Sequence, residues 1–76
     1  MKEIGIDMKN LKLRDDYIKL GQALKAAGLV NEGVDAKYAI LNGEVKVNGE
    51  VCTMRGKKLI DGDEITFENE IVKIIK

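Results

Sequence analysis

Apolar and polar residues change their spacing several times along this chain, and each change marks a predicted element. Ile4 and Ile6 stand two apart between polar neighbours, which suits a short half-buried strand over Glu3–Asp7. Met8–Leu13 is polar and irregular. Asp15 or Asp16 then supplies an N-cap, because a short side-chain oxygen can accept from the first free helical N–H groups. Tyr17, Leu20, Leu24 and Ala27 follow at helical spacing with Ile18 beside them, predicting a helix over Tyr17–Ala27 that stops at Gly28. Lys19, Gln22 and Lys25 fall on its opposite face. Asn31-Glu32-Gly33 breaks the pattern and starts a second helix, Val34–Leu41. Val34, Tyr38 and Leu41 form its apolar stripe, with Ala36, Ala39 and Ile40 adding to it. The two alanines are small enough to let the helices approach closely, and the short connection makes a helix-turn-helix-like corner.

The second helix ends at Gly43, a natural C′ residue, and the chain runs straight into Glu44-Val45-Lys46-Val47-Asn48-Gly49-Glu50. Asn-Gly between alternating residues is a strong hairpin signal, since a type I′ turn needs positive φ at both central positions. Val45, Val47 and Val51 are expected on the core side, with Lys46 and Glu50 on the other face or at the turn. Met54-Arg55-Gly56-Lys57-Lys58 reads as a basic loop and Asp61-Gly62-Asp63 as a turn. A strand over Glu64–Phe67 follows, with Ile65 and Phe67 on one face. Glu68-Asn69 turns again before a last strand, Ile71–Ile75. The order β-α-α-β-β-β-β predicts an α+β fold: two short helices packed on a small, mostly antiparallel sheet, the first strand beside the last.

Composition narrows the function classes. With 76 residues, one domain over 1–76 is expected. A single Phe and no Trp leave Ile, Leu and Val to fill the core, so Tyr17 and Tyr38 are expected to join it with their hydroxyls at the edge. The absence of His and the single Cys remove the common zinc sites and the Ser-His and Cys-His nucleophile pairs. No enzyme, metal or cofactor is expected; Asp61 and Asp63 serve as turn formers. Cys52 can form no internal disulfide and reads as a small core filler, which fits a reducing cytoplasm. No apolar run approaches the roughly 20 residues of a membrane span, and the N-terminus lacks a signal-type apolar stretch.

The formal net charge is zero, yet it is unevenly spread. Lys37, Lys46, Arg55, Lys57 and Lys58 face only Glu44 and Glu50 between residues 37 and 58. Asp61, Asp63, Glu64, Glu68 and Glu70 then follow with no cation among them. A bipolar molecule can keep a basic face at zero total charge.

Lys19-Leu20-Gly21-Gln22, Ala27-Gly28-Leu29, Ala36-Lys37, Ile40, Gly43, Val45, Val47-Asn48-Gly49 and Gly62-Asp63-Glu64-Ile65 together resemble a known module. It is the RNA-binding domain of small-subunit ribosomal protein S-four, also called the αL motif. The resemblance spans Tyr17–Phe67 and is strongest to small stand-alone bacterial members of the YaaA/YbcJ-like type, which carry a similar Arg-Gly-Lys-Lys loop. It implies an RNA-contacting surface made of the two helices and the hairpin start, with Lys19, Gln22, Lys25, Lys37, Lys46, Asn48, Arg55, Lys57 and Lys58 as candidate contacts. It also implies structured RNA, ribosomal RNA above all, as the ligand, with the ribosome or its assembly intermediates as partners of a monomeric cytoplasmic protein. The chain departs from the pattern at the second helix start, where Glu32, Gly33 and Asp35 replace Ser-Arg and a following Arg, and at Glu44, where a His is common. With the tyrosines assigned to the core, no exposed aromatic is expected to stack on single-stranded bases.

Two other readings use the same residues. Val-Asn-Gly-Glu and Asp-Gly-Asp-Glu-Ile also occur in small β-grasp carriers, although carriers end in Gly-Gly and place no helix pair before the hairpin. A protein adaptor could instead use the acidic Asp61–Glu70 edge.

Overall fold

The computed structural model describes residues 7–76. The strand expected over Glu3–Asp7, with Ile4 and Ile6, lies outside the described residues save for Asp7. The strand that is observed, β1 (Asp7–Lys12), occupies the stretch read as irregular and pairs in parallel with the last strand, β7 (Glu70–Ile75). Its alternation was masked by Lys9, which shares a face with half-buried Leu11 and buried Leu13. Lys9 is tolerated there because its ammonium reaches the carbonyl of Ala27 at 3.2 Å and the carboxylate of Glu70 at 3.0 Å.

Residues 17–19 stay extended instead of opening the first helix. A two-residue strand β2 (Ile18–Lys19) precedes α1 (Leu20–Ala26) and pairs antiparallel with β5 (Lys58–Leu59). Neither Asp15 nor Asp16 caps α1. The first helical N–H groups find acceptors in distant backbone instead: Leu20 N–H donates to Lys57 O at 2.8 Å and Gly21 N–H to Arg55 O at 3.0 Å. Gly28, at φ +77, ends the helix in a Schellman pair, with Leu29 N–H bonded to Leu24 O and Gly28 N–H to Lys25 O. Helix α2 (Gly33–Leu41) closes in the same way through Gly43 at φ +76.

The main sheet has the order β1-β7-β6-β3-β4, with β3 (Val45–Val47), β4 (Glu50–Val51) and β6 (Glu64–Phe67). All its pairings except β1·β7 are antiparallel. Val45, Val47, Ile65, Phe67, Val72 and Ile74 share one buried cluster with Leu20, Ala23 and Leu24 of α1 and Ala36, Ala39 and Ile40 of α2. The helices therefore cover that sheet face, as the α+β reading expected. Asn48 and Gly49 hold φ values of 52° and 87°, the type I′ pattern. A two-residue turn sets Val47 opposite Glu50 and Lys46 opposite Val51. Directly opposed residues share a face, so Val51 follows Lys46 outward and is 55% exposed, contrary to its expected place in the core. Cys52 is half-buried against the core.

The larger correction concerns α2. Its small residues face inward, while Val34, Tyr38 and Leu41, expected to bury, point to solvent. Tyr17 is exposed as well. Large side chains at those α2 positions would push the helix away from α1; alanines permit the close approach.

Asp16 instead meets Lys76. A hydrogen bond from Lys76, and then its charge, hold the Asp16 carboxyl below its ordinary 3.8; the same bond holds Lys76 above 10.5. A depressed folded pKa gives stability that is present above the unfolded value and lost as pH falls through the folded one. For Lys76 the raised pKa gives stability present below 10.5 and lost as pH rises through the folded value. Both groups are exposed, so the effect is small. Asp16→Asn is expected to melt below the wild type near pH ~6, with the gap narrowing as pH falls below 3.8 toward the lowered folded value; a gap that does not change with pH would count against the pair.

Candidate nucleic-acid interface

Burial of Leu20, Ala23 and Leu24 turns Gln22 and Lys25 outward on α1, with Lys19 just ahead of them. The loop that caps α1 with its carbonyls brings Arg55 against the same helix: a Cβ placed on Gly21 would lie 3.7 Å from the Arg55 Cβ. Where α2 begins, Gly33 adds no side chain. The outcome is a cleft of about 420 Å³ walled by Lys19, Gln22, Lys25 and Arg55 over Gly21, Gly33 and Gly56. Among the described residues, no carboxylate lines it.

Lys19 and Lys58 are direct cross-strand partners in the β2·β5 pair. Like charges so opposed are destabilising in themselves. Lys58 is eased by the ring of Tyr17, its ammonium 4.8 Å from the centroid. Among the described residues the ion pairs are Lys9–Glu70 and Lys76–Asp16, so Lys19, Lys25, Lys37, Arg55, Lys57 and Lys58 have no acidic partner. These cations are free to meet an anion, and an anion between Lys19 and Lys58 would relieve their repulsion. A roomier groove of about 640 Å³ lies between β1 and α1; its lining mixes Leu11, Leu13, Tyr17 and Ile18 with Lys12, Arg14 and Asp15, so its charged residues are of both signs.

Of the nine candidate residues, Lys19, Gln22, Lys25 and Arg55 meet in the cleft; Lys57 follows Arg55 on its loop and Lys58 opens β5. Lys37 sits one helical turn beyond Gly33 on exposed α2. Lys46 and Asn48 stand apart. Lys46 faces out from the side of the sheet opposite the helices, paired with Thr66 and Val51. The Asn48 amide is engaged structurally: Nδ2 donates to Asp63 Oδ1 at 3.0 Å, and Oδ1 accepts from Glu64 N–H at 2.9 Å. Asp63 Oδ2 also accepts from Ile60 N–H at 2.8 Å. These bonds tie the Val-Asn-Gly turn to the Gly-Asp-x-Ile turn and explain why the two segments occur together. Asp61 takes the backbone N–H of Lys76, which makes it too a turn-stabilising residue.

A family model described as the S4 domain matches residues 11–75. The chain belongs to the S4 domain family. Two curated relatives agree with that assignment. "Putative RNA-binding protein YbcJ" of Escherichia coli (strain K12) is 34% identical over 59 residues, covering 78% of this chain and 84% of that protein. "Probable ribosome maturation protein RlbA" of Bacillus subtilis (strain 168) is 38% identical over 58 residues, covering 76% and 82%. The solution structure of E. coli YbcJ, described as revealing an αL motif involved in RNA-binding, matches with a TM-score of 0.67 at 28% identity. That match covers 100% of this chain and 95% of the YbcJ chain. The αL resemblance seen over Tyr17–Phe67 thus holds and extends into β1 and β7. This S4 domain, with its helix pair ahead of the hairpin, sets aside the β-grasp carrier reading.

Among the described residues, no helix is long and apolar enough to cross a membrane, and no group of three or more His, Cys, Asp or Glu could hold a metal ion.

Proposed function

We propose that this S4 domain is a non-enzymatic, monomeric RNA-binding protein of the bacterial cytoplasm that recognises structured RNA, ribosomal RNA above all. The observation that carries the reading is the cleft at the junction of α1, α2 and the 54–57 loop, whose cations have no carboxylate beside them among the described residues. The names and αL description of the relatives support it. Lysine and arginine suit phosphate oxygens, and their binding releases counterions; shape and backbone contacts dominate recognition of structured RNA. Gly33 stands at the α2 start, where Arg is usual in the family. Arg55 lines the cleft beside it, so the loop supplies the guanidinium that α2 lacks. Lys57, Lys58 and Lys37 extend the basic face, and Lys46 and Asn48 lie outside it. The acidic-edge adaptor is less well supported, because Asp61, Asp63 and Glu70 are already engaged within the fold.

The test is binding to purified ribosomal RNA and to ribosomal subunits across a salt series. If about four to six cations meet phosphates, log affinity should fall against log salt with a slope near −3 to −5. Absence of binding at low salt would sink the reading.

A further inference from the structure

The outward face of α2 is unexplained by folding. Val34, Tyr38 and Leu41 are 52%, 58% and 56% exposed, while the inward positions are filled by Ala36, Ala39 and Ile40. At 3.6 residues per turn the three outward side chains fall within about 60° of one another, opposite the buried set. Lys37 lies between that row and Gly33, on the cleft side, whereas Asp35 lies on the far flank. Among the described residues, no side-chain hydrogen bond or cation–π contact engages Tyr38; Tyr17, by contrast, lies under the Lys58 ammonium.

We propose that this face is a stacking platform for an unpaired nucleotide of the bound RNA, the base on Tyr38 and its phosphate at Lys37. The proposal rests on the RNA-binding reading above and deepens it: the preferred ligand is a structured RNA with an unpaired segment beside the stem. Charge and continuity favour RNA as the occupant. Gly33 lines the cleft, and Tyr38 lies about 7.5 Å further along the helix axis, about two stacked base steps at ~3.4 Å each. Lys37 bridges the interval, and Asp35 keeps the phosphate chain to that side. Area argues the same way. Three side chains little more than half exposed offer on the order of 300 Å², against about 800 Å² per partner in a stable protein interface. A flat base on a tyrosine ring needs no more than this row provides.

Two RNAs sharing one stem, the first blunt-ended and the second with an unpaired overhang, would be titrated against wild type, Tyr38→Ala and Tyr38→Phe. Melting curves would confirm folding, which an exposed position should permit. Tyr38→Ala is expected to weaken binding of the overhang RNA by about 5- to 150-fold and to leave the blunt stem unchanged. Tyr38→Phe, which keeps the ring, should match wild type on both. In Tyr38→Trp the indole fluorescence should be quenched by the overhang RNA and not by the blunt stem. Wild-type affinity of Tyr38→Ala for both RNAs, or an equal loss on both, would overturn the stacking proposal and leave RNA binding standing; the former would point to a protein partner on this face. If wild type bound neither RNA, the RNA-binding reading itself would fail.

Discussion

Exchanging Lys25 and Arg55 together for Ala is expected to lower affinity for ribosomal RNA roughly 100-fold at moderate salt. Hydrogen bonds to charged groups contribute about 1.5–3 kcal/mol each, and solvent screening at an exposed cleft brings that nearer ~1.4 kcal/mol, or tenfold, per cation. The salt dependence discriminates better than the affinity. Removing two phosphate contacts should flatten the log–log slope by about 1.4 to 1.8. Lys73→Ala is the matched control, since Lys73 is exposed on β7 and alternates with buried Val72 and Ile74. It should leave both affinity and slope near wild type. Neither Lys25 nor the Arg55 side chain contributes to the buried core, so the double variant should fold. A separate Arg55→Lys exchange keeps the charge and loses the fork. If the guanidinium grips one phosphate with two bonds, Arg55→Lys should weaken binding without changing the slope. An unaltered slope in the double variant would remove the cleft from the binding surface.

The sequence was most legible where structure is set locally. Asn48-Gly49 demands positive φ at both positions, so the hairpin and its turn type followed from two residues. Gly28 and Gly43 likewise announced both helix ends, because only a residue at ease with positive φ closes a Schellman turn. Legibility failed where distant partners intervened. Asp15 and Asp16 looked like caps for α1, but backbone carbonyls of Arg55 and Lys57, more than thirty positions away, had taken that role. The β2·β5 pair involves two residues on each side, too few for any periodicity to reveal. Lys9 hid β1 because a lysine at an inward position breaks the alternation, and its rescue by Ala27 and Glu70 is a tertiary fact. The α2 stripe failed for a different reason. Apolar periodicity marks a face without saying whether that face is buried, and α2 carries two: alanines inside, Val34, Tyr38 and Leu41 outside. Candidate cations could be picked by type, but the cleft that separates Lys19, Lys25 and Arg55 from Lys46 exists only once the 54–57 loop docks on α1.

Asn48→Ala should cost about 2–5 kcal/mol of stability. Asn48 sits at φ 52, a conformation that costs an ordinary L-residue about 1–2 kcal/mol. Its amide also makes two bonds across the turn, to Asp63 and to Glu64 N–H, worth about 0.5–1.5 kcal/mol each. Small domains carry about 0.05–0.15 kcal/mol per residue, so much of the folding free energy of this chain is at stake. In a melting experiment the shift should be on the order of 10–40 °C. Two further exchanges separate the contributions. Asn48→Gly relieves the backbone and loses both bonds, so it should fall between Ala and wild type. Asn48→Asp keeps an acceptor for Glu64 N–H but sets a carboxylate against Asp63 Oδ1, where the amide donated. Its deficit should shrink as pH falls, because a protonated carboxyl can donate to Asp63 again and two like charges no longer face each other. RNA binding then distinguishes a structural from a contacting Asn48. Measured well below the melting transition, Asn48→Ala should bind as wild type does, because its amide points to Asp63 and Glu64 and not to the cleft. A loss of affinity in the folded variant, with a flattened salt slope, would return Asn48 to the RNA surface; loss that tracks the unfolded fraction would leave it as the clasp between the two turns.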